Sequence, residues 1–175
     1  LAEDTRHSRT LLERHDISQK PLSLHAHNEA RRVERVLEVL DGGGDVALVS
    51  DAGTPLVSDP GARLVRRAID EGHAVTAVPG PSAVLAALTV SGIGAERFTF
   101  LGFLPRKAGE RDALLERVGP ADETLVFFES PQRIARTLAL LAERFGPRRA
   151  CVARELTKRH EEVARGTLPD LAERF

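Results

Sequence analysis

Tryptophan, tyrosine and methionine are absent from this chain of 175 residues, and cysteine occurs once. A single thiol, Cys151 in the apolar run Ala150 to Ala153, excludes an internal disulfide framework and a cysteine-built metal cage; it reads as a small core residue. Seven phenylalanines are the only aromatics, which leaves little from which to build base-stacking platforms. No apolar run reaches the roughly 20 residues of a membrane span, and no basic, apolar leader opens the chain. Charge of either sign is not in excess: 25 Lys and Arg face 26 Asp and Glu, which is not the profile of a strongly basic nucleic-acid binder. The missing methionine and the opening Leu1-Ala2-Glu3-Asp4, which reads as a strand end, give the expectation of a fragment of a longer protein. The expected compartment is a reducing cytoplasm.

What is present is alternation. Apolar residues recur at helical spacing over Arg6 to His15, Asn28 to Leu40 (Val33, Val36, Leu37 and Leu40 on one face), 60–71, 81–90, 107–118, 131–145 and from about Pro169. Short apolar runs at 45–50, 74–78, 98–101, 124–128, 149–154 and 161–165 read as strands, with Pro21 to His25 extended. The order is that of an α/β protein with parallel strands and crossover helices. Ser91 to Ala95 interrupts it, so two α/β domains, 1–94 and 95–175, are expected, with a single six- or seven-stranded sheet as the alternative. Residues 1–94 carry 10 basic against 13 acidic side chains and the remainder 15 against 13, so the second half is the more basic. The glycines after Asp41 follow a helix and precede a strand, which is the place of a C-cap turn and not of a phosphate loop.

The segment Ser50 to Gly61 follows the apolar run Val46 to Val49 and precedes a helix, where an open α/β sheet builds small-molecule sites. Gly53 permits close backbone approach, Thr54 offers a hydroxyl, and Asp59-Pro60 is expected to supply a cap and an N1 proline. The same device is expected at Pro79 to Ala83 and at Ser130-Pro131. His25 and His27 share a strand face but have no third ligand at a recognisable spacing, so no metal is expected.

Taken in order, Ala2 to Arg6, Ser50 to Pro55, Ser58 to Gly61, Pro79 to Ala83, Gly102 to Pro105, Phe127 to Ser130 with Arg133, and Ala153 to Lys158 form a series over essentially the whole chain. That series resembles the tetrapyrrole methylase superfamily, and within it the branch that methylates small-subunit ribosomal RNA. The resemblance implies two α/β domains with a cofactor cleft between them. It implies S-adenosylmethionine as methyl donor, the ribose 2′-hydroxyl of a cytidine in the decoding region of 16S rRNA as acceptor, and a homodimer. A tetrapyrrole carbon methylase and a non-catalytic nucleotide- or RNA-binding module are the alternatives. By position, Ser50, Asp51, Ala52, Gly53, Thr54, Ser82, Ala83, Phe128 and Glu129 fall at the cofactor site. The superfamily's first Gly- and Pro-rich loop would precede Leu1 and its closing strands would follow Phe175, so an incomplete sheet is expected.

A sulfonium donor brings its own leaving group, which leaves the protein to align the reactants and accept a proton. Candidates for that chemistry are Glu3, Asp4, Arg6 and Glu129, with Glu155 as a further carboxylate; Glu3 to Arg6 equally suits a capped helix start, and Glu129 a pair with Arg133. Arg106, Lys107, Arg133, Arg154 and Lys158 are the expected phosphate partners within the small ribosomal subunit. Arg111, Arg136, Arg148, Arg149 and Arg159 extend that basic set, half of which a solvated face would explain. Arg154 and Glu155 also suit a structural ion pair.

Overall fold

The computed structural model describes residues 1–25 and 28–175; His27 lies outside them. The chain is mixed α/β and forms two compact units, Leu1–Pro81 and Ser82–Phe175.

In the first unit, Ala2 makes parallel bridges to both Ser23 and Val49. Its N–H donates to the Leu22 carbonyl at 2.9 Å, its own carbonyl accepts from the Leu24 N–H at 2.8 Å, and the Val49 N–H donates to the Leu1 carbonyl at 3.0 Å. Three extended segments therefore lie side by side with Ala2, fully buried, in the middle. Helices α1 (Thr5–Arg14), α2 (Glu29–Asp41) and α3 (Ala62–Asp70) complete the unit. The apolar face of α2 packs as its spacing predicts: Val33, Val36 and Leu37 are buried with Leu24, Leu64 and Ala68, and Leu40 packs against them. The glycines after α2 form the cap expected of them. The Gly43 N–H donates to Leu40 and the Gly44 N–H to Val39, both at 2.9 Å, with Gly43 at φ 78°, which is the Schellman pattern.

The expected strands at 45–50 and 74–78 do not form ladders. The first is reduced to the bridge at Val49, and residues 73–80 carry no strand assignment. Val75 and Val78 are 49% and 87% exposed, so an apolar alternation is present without a sheet face to bury it.

The second unit holds α4 (Ala83–Ser91), β1 (Phe98–Phe103), α5 (Ala108–Val118), β2 (Thr124–Phe128), α6 (Ile134–Phe145), β3 (Arg149–Arg154), β4 (Glu162–Thr167) and α7 (Leu168–Arg174). Strands β1 and β2 pair in parallel from Phe98 opposite Thr124, as a crossover through α5 requires. Strands β3 and β4 pair antiparallel from Arg149–Thr167 to Arg154–Glu162. The two pairs are separate two-stranded sheets, not one continuous sheet. Leu104, Leu115, Leu138, Leu141, Leu168 and Leu171 form the core, and α4 packs on β3 and β4.

The prolines stand beside the first helical turns but two or three residues ahead of N1. Helix α3 starts after Gly61, α4 after Ser82 and α6 after Arg133, so Pro60, Pro81 and Pro131 lie ahead of the N-cap and not at N1. Asp59 caps nothing; its carboxylate is free for other contacts. Among the described residues only α7 has proline in its first turn, within a Thr167–Asp170 capping box.

Candidate functional site

At the carboxyl ends of the three extended segments the first unit collects Glu3, Asp4 and Arg6 from one and Ser50 to Thr54 from another. Asp51 joins them. Its Oδ1 accepts the Asp4 N–H at 3.2 Å and its Oδ2 lies 4.0 Å from His7 Nδ1. Within the loop, the Ser50 hydroxyl donates to the Gly53 carbonyl at 3.1 Å, and the Thr54 hydroxyl donates to the Pro81 carbonyl at 3.1 Å. Gly53 takes φ 75°, and a Cβ there would stand 3.6 Å from that same Pro81 oxygen. The loop and the Pro79–Pro81 turn are thus held together by backbone approach and one hydroxyl. Ala52 is exposed.

The first-unit candidates differ sharply in charge behaviour. Asp4 is the N-cap of α1: Oδ1 accepts the Arg6 N–H at 2.8 Å, and the carboxylate meets the Arg6 guanidinium at 3.0 Å. Those bonds to Arg6 hold its carboxyl down at about 2. Glu3 is pushed the other way, by partial burial first and then by the charges of Asp59, Asp51 and Asp4. Asp59 is raised by burial and by Asp51. Asp59 and His7 are the members of this cluster that sequence reasoning missed as site residues; no spacing rule links positions 3, 7, 51 and 59.

A raised carboxyl favours the folded state while protonated; that contribution is full below the ordinary carboxylate range and is lost as pH rises through the raised value. The Asp59→Asn variant is therefore expected to match the parent in urea stability near pH 3, at the acid edge of the ordinary carboxylate range. At pH 7 it should exceed the parent by about 0.3 kcal/mol, a figure kept small by solvent screening. Equal stability at both pH values would remove the repulsive cluster from the account.

The remaining cofactor-loop candidates lie in the second unit. Ser82 caps α4 by accepting the Leu85 N–H at 3.4 Å, and Ala83 is the first residue of that helix. Phe128 ends β2 and packs edge-on against Phe100, ring centroids 5.0 Å apart, and beside Phe103 at 5.6 Å. Glu129 follows with its side chain only 3% exposed. It accepts from the Ser130 N–H and the Thr137 hydroxyl, each at 2.8 Å, and pairs with Arg133 at 3.2 Å. Ala83, Phe128, Glu129, Cys151 and Arg154 line a cavity of about 1080 Å³ within this unit. Cys151 is half-buried there, not fully in the core, and burial pushes its thiol up against the opposing charge of Arg165.

Most of the expected phosphate partners already have acids. Lys107 pairs with Glu110, Arg133 with Glu129, Lys158 with Glu155. Arg154 pairs with Glu162, which Arg174 also holds; the supposed Arg154–Glu155 pair is therefore replaced by two others. Arg148 is an internal brace, donating to the carbonyls of Gly119 and Glu123 at 3.2 and 2.7 Å. Arg106 is exposed. Among the described residues no group of three or more His, Cys, Asp or Glu could hold a metal ion, and no helix is long and apolar enough to cross a membrane.

The model of the family described as Tetrapyrrole (Corrin/Porphyrin) Methylases matches residues 1–172. Among curated proteins, the Ribosomal RNA small subunit methyltransferase I of Mesorhizobium japonicum is 51% identical over 174 residues, covering 99% of this chain and 59% of that protein. The protein of the same name from Xylella fastidiosa is 54% identical over 171 residues, 97% of this chain and 63% of its own length. That of Mycobacterium tuberculosis is 50% identical over 98% of this chain and 61% of its own length. The chain thus spans about three-fifths of the length of these relatives.

Proposed function

We infer the activity of this chain from its membership: it belongs to the tetrapyrrole (corrin/porphyrin) methylase family. The reading best supported is S-adenosylmethionine-dependent methylation of the ribose 2′-hydroxyl of a cytidine in 16S rRNA, carried out in the cytoplasm by a homodimer on the small ribosomal subunit. The names of the relatives, at 50–54% identity, favour RNA over a tetrapyrrole ring.

The observation that carries the cofactor assignment is the acidic loop cluster. Glu3 and Asp59 are raised by their own burial and by Asp51, so this edge of the unit holds unneutralised negative potential, which a ligand bearing sulfonium and ammonium charges would relieve. Gly53, at φ 75° where a side-chain-bearing residue would be strained, leaves bare main chain against which such a ligand can lie. S-adenosylmethionine, when bound, supplies a methyl group already activated on sulfur.

This chain's residues then divide the remaining work. Asp51 holds the cationic end of the donor and, through the Asp4 N–H, fixes the start of α1. Ser50 and Thr54 keep the loop in register through their bonds to Gly53 and Pro81. Glu3, raised by burial and by the neighbouring acids and with no cation of its own among the described residues at the loop edge, is the acceptor for the proton of the ribose hydroxyl. Asp4, held at about 2, is a poor base and instead orients Arg6, whose exposed guanidinium suits a phosphate. Glu129 spends its carboxylate on three internal donors and steadies the β2–α6 junction beside Phe128.

In the protein as encoded, labelled methyl from S-adenosylmethionine is expected to pass to 30S subunits and not to precorrins. Transfer to precorrins alone would replace the substrate assignment. In calorimetry, Asp51→Ala is expected to weaken cofactor binding by about 30- to 150-fold, the loss of one charged contact of about 2–3 kcal/mol. The Asp51→Asn variant keeps an acceptor for the Asp4 N–H and should lose less. Unchanged affinity in both variants would sink the loop assignment.

A further inference from the structure

We propose that helix α1 is a phosphate-binding arm that grips the RNA strand flanking the target nucleotide. The proposal rests on the RNA reading above and adds a surface to it.

None of the ten residues of α1 is buried, so its face is not explained by packing. Between Thr5 and Lys20 there are four basic side chains, Arg6, Arg9, Arg14 and Lys20, against two acidic ones, whereas the whole first unit carries ten against thirteen. The positive charge of an acidic unit is therefore concentrated on this segment. Arg9, Arg14 and Lys20 are exposed and form no ion pair among the described residues, unlike Arg66 and Arg67 of α3, which pair with Asp70, Glu34 and Glu71.

Position ties the arm to the site. The Asp4 N–H at the head of α1 bonds Asp51, so the helix leaves directly from the proposed catalytic edge. Ten residues rise about 15 Å, the axial rise of about four nucleotides of one strand of a duplex at about 3.4 Å each. A second copy of the chain is a poor occupant, because a two-fold contact through this helix would set one basic face against the same basic face of the partner. A lipid surface is also a poor one. Leu11 and Ile17, 60% and 45% exposed, are too little apolar area for an interfacial helix.

The test uses the protein as encoded, with Arg9→Ala/Arg14→Ala compared against Arg66→Ala, and a 16S decoding-region RNA as probe. Removing two phosphate contacts is expected to weaken RNA binding by roughly tenfold at physiological salt and to lower the log–log salt slope by about two. The apparent KM for 30S subunits should rise in parallel, cofactor affinity should stay unchanged, and Arg66→Ala should move none of these. An unaltered salt slope in the double variant overturns the proposal, as does a change in oligomeric state with RNA binding intact. If the parent transfers no methyl to 30S subunits while the slope still falls by two, the methylation reading fails and the arm stands.

Discussion

Glu129→Ala is expected to lower the stability of the second unit by about 3 kcal/mol, as breaking a buried pair from one side does. The carboxylate is almost wholly enclosed and serves three donors: the Ser130 N–H, the Thr137 hydroxyl and the Arg133 guanidinium. Truncation strands Thr137, itself only 7% exposed, and leaves Arg133 with the Leu104 carbonyl at 3.0 Å as its remaining fixed partner. The residual contact and the partial exposure of Arg133 place the loss near the lower end of that range. Glu129→Gln keeps one acceptor, for the Ser130 N–H, and turns its amide N–H toward the Thr137 hydroxyl, which can accept it, but it gives up the Arg133 pair; it should lose about 2 kcal/mol, the scale of one hydrogen bond to a charged group. With no tryptophan or tyrosine in the chain, far-UV circular dichroism in urea is the measurement. Equal midpoints for Ala and parent would show that the network carries no stability.

That network also marks where sequence reasoning stops. Helices were legible because their evidence is local. Val33, Val36 and Leu37 declare a face within one turn, and the buried side of α2 is that face. Strands β2 and β3 were legible at 124–128 and 149–154 because each is a short apolar run that finds a neighbour. Residues 45–50 and 74–78 carry the same signal, but a ladder needs a partner at matching register, and a single segment does not encode its partner. Proline misplaced the helix starts for a related reason: its fixed φ suits both N1 and the one or two residues ahead of the cap, and only the turn at Gly61 or Arg133 decides between them.

The candidate loop was legible as a place, and its division of labour was not. Asp51 is defined by partners 47 and 44 positions earlier, the Asp4 N–H and His7. Arg148 read as a surface cation until its guanidinium is seen bracing carbonyls 25 to 29 positions away. Carboxylates that look alike in the chain, Asp4 and Glu3, are driven in opposite directions by a neighbouring cation in one case and by burial beside neighbouring acids in the other. Residue type sets what a group can do; the charges brought near it by folding set which of those things it does.

The Gly61→Ala variant is expected to destabilise the first unit by about 3 kcal/mol and to take cofactor affinity down with it. Gly61 is the N-cap of α3 at φ 121°, a conformation closed to side-chain-bearing residues. A Cβ there would stand 2.6 Å from Leu48 Cδ2 and 2.9 Å from Leu56 Cδ2, so both leucines must move. Leu48 leads into Val49 and the Ser50–Thr54 loop, and Leu56 itself already sits at φ 74° with Ser58 at 70°. The displacement therefore passes from a helix cap into the segment that orders Asp51. Gly43→Ala separates the two causes: it shares a positive φ, 78°, but nothing lies within 4 Å of its Cβ, so it should lose only about 1 kcal/mol of backbone strain. Urea midpoints at unchanged m give the stability difference, and calorimetry with S-adenosylmethionine gives the second readout. If Gly61→Ala and Gly43→Ala lose the same stability, or if Gly61→Ala binds the cofactor like the parent, the leucine contact does not couple the cap of α3 to the loop.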